Sequence, residues 1–244
     1  MWYNRLMDRD LVKILSFGVD SFTFDEAVNY AVSHPGQIVT INPEMIAAAQ
    51  KNEDFANIIS SAELVVPDGI GVEIGLKILG HKVRRIPGIE LGKALVEKFA
   101  QNNKSVALIG AKPEVVQAAA SNLKAEFPGL NIVYSKDGYF DNDEEVISKI
   151  IEASPDLVLV ALGSPKQEFF INSLKTHLPN STMIGLGGSF DVWAGAVERA
   201  PKFYQNLGME WLYRTVKEPK RFKRIFPTLP LFVLKVCKER VYSK

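Results

Sequence analysis

A single cysteine, Cys237, stands among 244 residues, so no intrachain disulfide framework can form, and the chain suits a reducing compartment. The three histidines, His34, His81 and His177, are scattered and lack the spacing of a zinc site. Nowhere does an uncharged apolar run reach the roughly 20 residues that span a bilayer. The first ten residues mix Arg5, Asp8, Arg9 and Asp10 with apolar ones, and no long apolar run follows, so they do not read as a signal peptide. A dinucleotide fingerprint is missing too: neither Gly110-Ala111-Lys112 nor Gly185-Leu186-Gly187-Gly188 has the third glycine in place, followed by a helix and a distant acid. Gly-x-Ser-x-Gly and Cys–His arrangements are also absent. These gaps argue against disulfide scaffolds, zinc enzymes, spanning proteins and serine or cysteine hydrolases, and they point to a cytoplasmic chain.

Net charge is nearly absent at +1, but its distribution is uneven. From Trp211 to Lys244, ten Lys/Arg oppose two Glu, a charge of +8, while the remainder carries −7. A basic tail on an acidic body suggests an anionic partner, a membrane surface or a phosphorylated ligand ahead of nucleic acid, for which no motif is present.

Apolar residues make up 47% of the chain, enough for a substantial core. Strand-length apolar runs fall at 37–41, 63–66, 105–109, 131–134, 157–162 and 183–186. Several are unbroken Val/Ile/Leu runs, as expected of strands covered on both faces. Helical patterns alternate with them. Thr23 and Glu26 form a capping box ahead of 27–32, Pro43 can open a helix, and further helices are expected over 90–100, 113–127, 143–151 and 166–174. Alternation of this kind predicts an α/β fold, a Rossmann-like and mainly parallel sheet flanked by helices. Two parts are expected, an α/β domain over 1–208 and a basic C-terminal appendage over 209–244. In the appendage, 225–234 is apolar but short and interrupted by Pro227 and Pro230, so it is expected to lie in a membrane interface rather than span it. Packing of the same residues on the body or on a second subunit is the alternative.

Ligands in parallel sheets bind beyond the carboxyl ends of the strands, and the polar residues there are the candidates. Thr40 and Asn42 follow the first strand and could bond a sugar or phosphate, although Asn42 before Pro43 also reads as a helix cap. Asp68-Gly69 follows the second strand. Asp68 is a candidate general base, and Gly69 allows close ligand approach, against the alternative of an ordinary Asp-Gly turn. Arg84 and Arg85 could clamp a diphosphate, or could simply be a solvated pair. Gly163, Lys166 and Gln167 follow the most apolar strand, where backbone amides and a lysine favour phosphate. Gly187 ends another strand in a run that brings backbone close to something. Asp141-Asn142-Asp143 spells the DxD of metal-dependent sugar transferases, but it precedes Glu144-Glu145 and a helix, so it reads as a cap, and no metal site is assigned.

Taken in order, these stretches resemble the WecG/TagA/CpsF family of bacterial glycosyltransferases. The resemblance rests on Thr40-x-Asn42, Pro67-Asp68-Gly69, Arg85-x-x-Gly88, Gly138-Tyr139-Phe140, the run Gly163 to Glu168, Gly187 to Asp191, Arg199-Ala200-Pro201, and Leu207 to Arg214 leading into Lys217-Glu218-Pro219-x-Arg221-x-x-Arg224. It extends from about Phe17 to Arg224, with Glu90 where an aspartate is common.

The resemblance implies transfer of N-acetylmannosamine, or its uronic acid, from UDP to undecaprenyl-diphosphate-linked GlcNAc, for teichoic acid, common antigen or capsule. It implies Asp68 as catalytic base and Thr40, matching the family's threonine, as a further catalytic residue, with donor or acceptor contacts from Arg85 and Gln167. Tyr139 and Asp191 match segments lining the nucleotide pocket. Arg214, Arg221 and Arg224 match arginines of an appendage that closes the site at the inner face of the cell membrane. No cofactor is expected, since arginines can neutralise the departing UDP in place of a metal ion. Homo-oligomers are compatible with the sequence. Two rivals remain open on the residues alone, a Rossmann-type nucleotide-binding oxidoreductase and a non-catalytic peripheral-membrane adaptor.

Overall fold

The computed structural model describes residues 9–217 and 222–242, and within them all side chains but those of residues 206, 214 and 222–227. Its centre is a parallel sheet of six strands: β3 (Gly36–Ile41), β4 (Leu64–Pro67), β5 (Ser105–Gly110), β6 (Asn131–Lys136), β7 (Leu157–Ala161) and β8 (Thr182–Gly185). Their order across the sheet is β4-β3-β8-β7-β5-β6. Each expected strand is present, with ends shifted by one or two residues.

Alternation of side chains divides the core between the two faces. Ile38, Leu64, Val66, Leu108, Leu159 and Ile184 pack on one face, beneath the helices α1 (Phe24–Ser33), α5 (Gly88–Gln101) and α6 (Pro113–Glu126). Val39, Ile41 and Val65 point to the opposite face, against α2 (Pro43–Ala49), α3 (Glu53–Ser60) and α4 (Ile70–Leu79). On that same side Ile109, Val158, Val160 and Met183 meet α7 (Asp143–Ala153) and α8 (Lys166–Lys175). Edge strand β6 alternates exposed and half-buried residues, whereas every residue of β3, β4, β7 and β8 is buried. Thr23 makes the expected capping box with Glu26.

A hairpin of β1 (Leu11–Ile14) and β2 (Phe17–Asp20) adds to the expected elements. Its turn residues Leu15 and Ser16 both adopt positive φ, without the Asn-Gly or Asp-Gly pair that would announce such a turn. Buried Asp20 ties the hairpin to β4, accepting from both Arg9 Nε (2.7 Å) and the Val65 N–H (2.8 Å).

Beyond β8 come α9 (Ser189–Trp193), α10 (Lys202–Asn206), α11 (Glu210–Lys217) and α12 (Phe222–Tyr242). The apolar tail segment expected to be broken by its prolines is instead part of one 21-residue helix containing both Pro227 and Pro230. Packing outweighs the lost backbone bonds. Phe232 and Val236 are buried against Ile14, Val72 and Leu76, and a Cβ on Gly75 would lie 3.1 Å from the Phe232 ring. Glu239 accepts from the Leu15 N–H at 2.9 Å, and Arg240 donates to the Leu79 carbonyl at 2.9 Å. One face of the apolar tail therefore packs on the body, while Leu231 and Leu234 stay exposed. Among the described residues, no helix is long and apolar enough to cross a membrane.

Candidate active site

Three neighbouring strands, β4, β3 and β8, end at one cleft of about 880 Å³. Thr40 and Asp68 line it from β3 and from the turn after β4. In-register pairing of Ile41 with Pro67 sets these two strand ends side by side, and the Asp68 N–H donates to the Ile41 carbonyl at 2.8 Å. Gly69 then turns the chain with φ +83, a left-handed conformation suited to glycine, and opens α4 with no side-chain cap.

The floor of the cleft is the start of α5. A Cβ on Gly88 would lie 3.2 Å from Thr40 Oγ1 and 3.5 Å from Asp68 Oδ2, so the threonine hydroxyl and the carboxylate converge above that glycine. Pro87 supplies no side-chain cap to this 14-residue helix, and Pro87, Gly88 and Ile89 line the cleft, so the positive end of the helix lies at the cleft wall, where it favours negative charge. Arg85 lines the cleft beside them. Its backbone N–H donates to Glu73 Oε2 at 3.0 Å, and its guanidinium donates to the Gln205 carbonyl. Arg84 is exposed and does not line the cleft, so the adjacent arginines do not act as a pair here.

The remaining walls are Leu186 and Ser189 after β8, and Gly208, Glu210 and Trp211 from the C-terminal segment. Arg199 joins these parts, with Nη2 at 2.6 Å from Glu90 Oε1 on α5 and Nε at 3.6 Å from Glu210 Oε2 on α11. A second, more apolar cleft of about 640 Å³ shares Glu44, Asp68, Gly69 and Trp211 with the first and extends along Pro43, Ile70 and Leu229 towards α12. Asn42 lines this second cleft, but its Oδ1 caps α2, accepting from the Glu44 and Met45 N–H groups at 3.0 Å each.

Other anticipated residues fall outside both clefts. Tyr139 is 70% exposed, in a loop where its N–H donates to Asp137; a hydrogen bond from Lys136, and then the one from Tyr139, hold the Asp137 carboxyl below its ordinary pKa. Lys166 Nζ sits 5.1 Å above the Phe140 ring, and Gly163 takes φ +77 at the end of β7. Gln167 is only 5% exposed, and its amide bonds Gly187 and Glu168. Asp191 lies in the short α9, where its carbonyl accepts from Val197. The Arg214 and Arg224 side chains, and Arg221 altogether, lie outside the described residues.

Asn142 caps α7 through the Glu144 and Glu145 N–H groups, so Asp141-Asn142-Asp143 is a helix start. Among the described residues, no group of three or more His, Cys, Asp or Glu could hold a metal ion.

Sequence reasoning overlooked Glu44, Ser189, Glu210 and Trp211 as cleft residues. Glu44 looks like an acid in a helix's first turn, which it also is. Ser189 stood inside the Gly187 to Asp191 stretch of the resemblance, and Glu210 and Trp211 inside its Leu207 to Arg214 stretch, and they could have been singled out there.

The model of the Glycosyl transferase WecG/TagA/CpsF family matches residues 12–244, and the chain belongs to that family. A relative from Bacillus spizizenii (strain ATCC 23059 / NRRL B-14472 / W23), named N-acetylglucosaminyldiphosphoundecaprenol N-acetyl-beta-D-mannosaminyltransferase, is 41% identical over 209 residues, which is 85% of this chain and 81% of the relative. A relative of the same name from Bacillus subtilis (strain 168) is 38% identical over 208 residues, 85% of this chain and 81% of its own.

Proposed function

We propose that this chain transfers an N-acetylhexosamine-type sugar, N-acetylmannosamine or its uronic acid, from a UDP donor to GlcNAc on undecaprenyl diphosphate, in the synthesis of a cell-surface polysaccharide or teichoic acid. The observation that carries the reading is the convergence of Thr40 and Asp68 over Gly88 at the uncapped start of α5. The names of the two relatives support the sugar and the acceptor.

The chemistry is a single displacement with inversion. An acceptor hydroxyl attacks the donor's anomeric carbon while the bond from that carbon to the UDP oxygen breaks. Asp68 takes the hydroxyl proton, a role that contributes typically 10²- to 10⁴-fold. Thr40 orients the acceptor or the donor sugar beside it, and Asn42 and Gly69 border the approach. Negative charge grows on the departing UDP, and the α5 N-terminus and Arg85 oppose it from fixed positions. Gly187 and Asp191 after β8, Gly163 and Lys166 after β7, and Tyr139 after β6 border the donor's nucleotide, and Arg214, Arg221 and Arg224 supply further cations. The reaction then needs no metal ion.

Residues 209–244 act as an appendage to the 1–208 body. Their basic charge draws the chain to anionic lipid on the inner face of the cell membrane, at about 1 kcal/mol per well-placed Lys or Arg. Leu231 and Leu234, exposed on the face opposite Phe232, enter the interface there.

The test is UDP release from a panel of UDP-sugars, with and without a lipid-diphosphate-GlcNAc acceptor, in EDTA. Acceptor-dependent release with one N-acetylhexosamine donor is expected. Release that requires added divalent metal would refute the metal-free step, and no release with any sugar would refute the reading as a whole.

A further inference from the structure

Buried polar side chains cost folding energy unless they are bonded, so a buried polar chain that ends at a cleft wall needs a reason. Glu168, in the first turn of α8, is 3% exposed, and Gln167 beside it is 5% exposed. Glu168 Oε1 accepts from Gln167 Nε2 at 2.8 Å, and Gln167 Oε1 accepts from the Gly187 N–H at 3.0 Å. The Gly187 donor fixes which end of the amide is oxygen, and that end leaves the Gln167 NH₂ facing the acid. Gly187 takes φ +48 in the turn from Leu186 to Ser189, and both of those residues line the Asp68 cleft. The same helix start is joined to β3, because Gln37 Nε2 donates to the Glu168 carbonyl at 3.2 Å, three residues before Thr40. Gly185 makes room for the arrangement, since a Cβ there would lie 2.5 Å from Gln167 Nε2.

We infer that Glu168 and Gln167 are positioning residues, a relay that fixes the Gly187 turn and with it the Leu186–Ser189 wall of the Asp68 cleft, rather than groups that touch a substrate. The relay's effect on turnover rests on the transferase reading; its effect on Gly187 does not. Gln167 has one oxygen and one nitrogen, and both are committed inside the protein. A side chain presented to a sugar would keep at least one of them towards the cleft, and Gln167 does not line it.

The experiment compares Gln167→Leu, Glu168→Leu, Glu168→Gln and Gly185→Ala in the full chain, well below each variant's unfolding temperature. Two quantities are read: hydrogen exchange at the Gly187 amide by NMR, and kcat and KM for sugar transfer. Removing the acceptor at Gly187 should speed its exchange about tenfold, the worth of one such bond. Misplacing the cleft wall in Gln167→Leu, Glu168→Leu and Gly185→Ala should lower kcat by on the order of 100-fold. Glu168→Gln, which keeps an acceptor for Gln167, should restore both quantities to near the parent. Gln167→Leu that loses turnover while Gly187 exchange is unchanged would overturn the relay, because Gln167 would then act by touching substrate. Normal behaviour of Glu168→Leu on both measures would overturn it as well. If the parent releases UDP from no donor, the transferase reading fails, and the exchange data alone decide the relay: unchanged Gly187 exchange in both leucine variants refutes it, and faster exchange upholds it.

Discussion

Two strand-end motifs that look alike in sequence behave in opposite ways. After β4, Asp68-Gly69 faces outward into a cleft shared with Thr40. After β7, Gln167 and Glu168 turn inward, 5% and 3% exposed, and bond to backbone and to each other. In each case polar residues follow a fully buried parallel strand, and in each a glycine at positive φ makes the turn. Polarity at a strand's end therefore marks a place where the backbone needs arranging or a ligand needs binding, and only the direction of the side chain distinguishes the two.

One added methyl at each motif sharpens the contrast. Gly185→Ala drives a Cβ into Gln167, so it should give the larger effect, on the order of 100-fold in turnover with Gly187 exchange accelerated. Gly88→Ala places its Cβ 3.2 Å from Thr40 Oγ1 and 3.5 Å from Asp68 Oδ2 and should lower turnover about tenfold by crowding the two groups. Its stability should change by no more than about 1 kcal/mol, since alanine suits a helix better than glycine, and Gly187 exchange should stay normal. Accelerated Gly187 exchange in Gly88→Ala would erase the distinction between the two motifs.

Glu168 gives a pH signature of its own in the stability of the fold. Burial raises its pKa, against smaller opposing effects of hydrogen bonds from Gln167 and Ser164. An acid held protonated in the fold but ionised in the unfolded chain stabilises the fold at low pH. That contribution falls as pH climbs from the ordinary carboxylate range to the raised value and is constant above it. Unfolding free energies from denaturant titrations across this window should decline in the parent, by at most about 1.4 kcal/mol per pH unit, and decline less in Glu168→Gln. Parallel profiles for the two proteins would show that Glu168 is ionised in the fold. The smallest effect belongs to Thr23→Ala, remote from both motifs. It should cost about 1 kcal/mol of stability through the lost cap and leave turnover unchanged.

Much of the fold was legible in the sequence because parallel strands buried on both faces leave unbroken runs such as Leu157–Ala161, and because caps such as Thr23 and Asn142 are local. The β1–β2 hairpin was not legible. Its turn uses Leu15 and Ser16 at positive φ, held partly by Glu239 from the far end of the chain. The course of α12 was likewise hidden, because Pro227 and Pro230 argue locally against a helix that distant contacts of Phe232 and Val236 stabilise. For the candidate site, sequence identified the cluster of Thr40, Asp68, Gly69 and Arg85 that the structure brings to one cleft. The loop residues by themselves did not separate Arg84 from Arg85, because adjacent residues carry no sign of which one faces inward; only the resemblance singled out Arg85. Nor could the sequence reveal Glu44, whose place in the first turn of α2 accounts for its residue type without a ligand.

The central claim is that Asp68 accepts the acceptor's proton, and the most direct test is Asp68→Asn with turnover and UDP binding measured on the same preparation. The amide keeps the shape but cannot take up the proton, so kcat should fall by about 10²- to 10⁴-fold while UDP affinity and melting temperature stay close to the parent's. Turnover within a few-fold of the parent would contradict the assignment of Asp68 as the base.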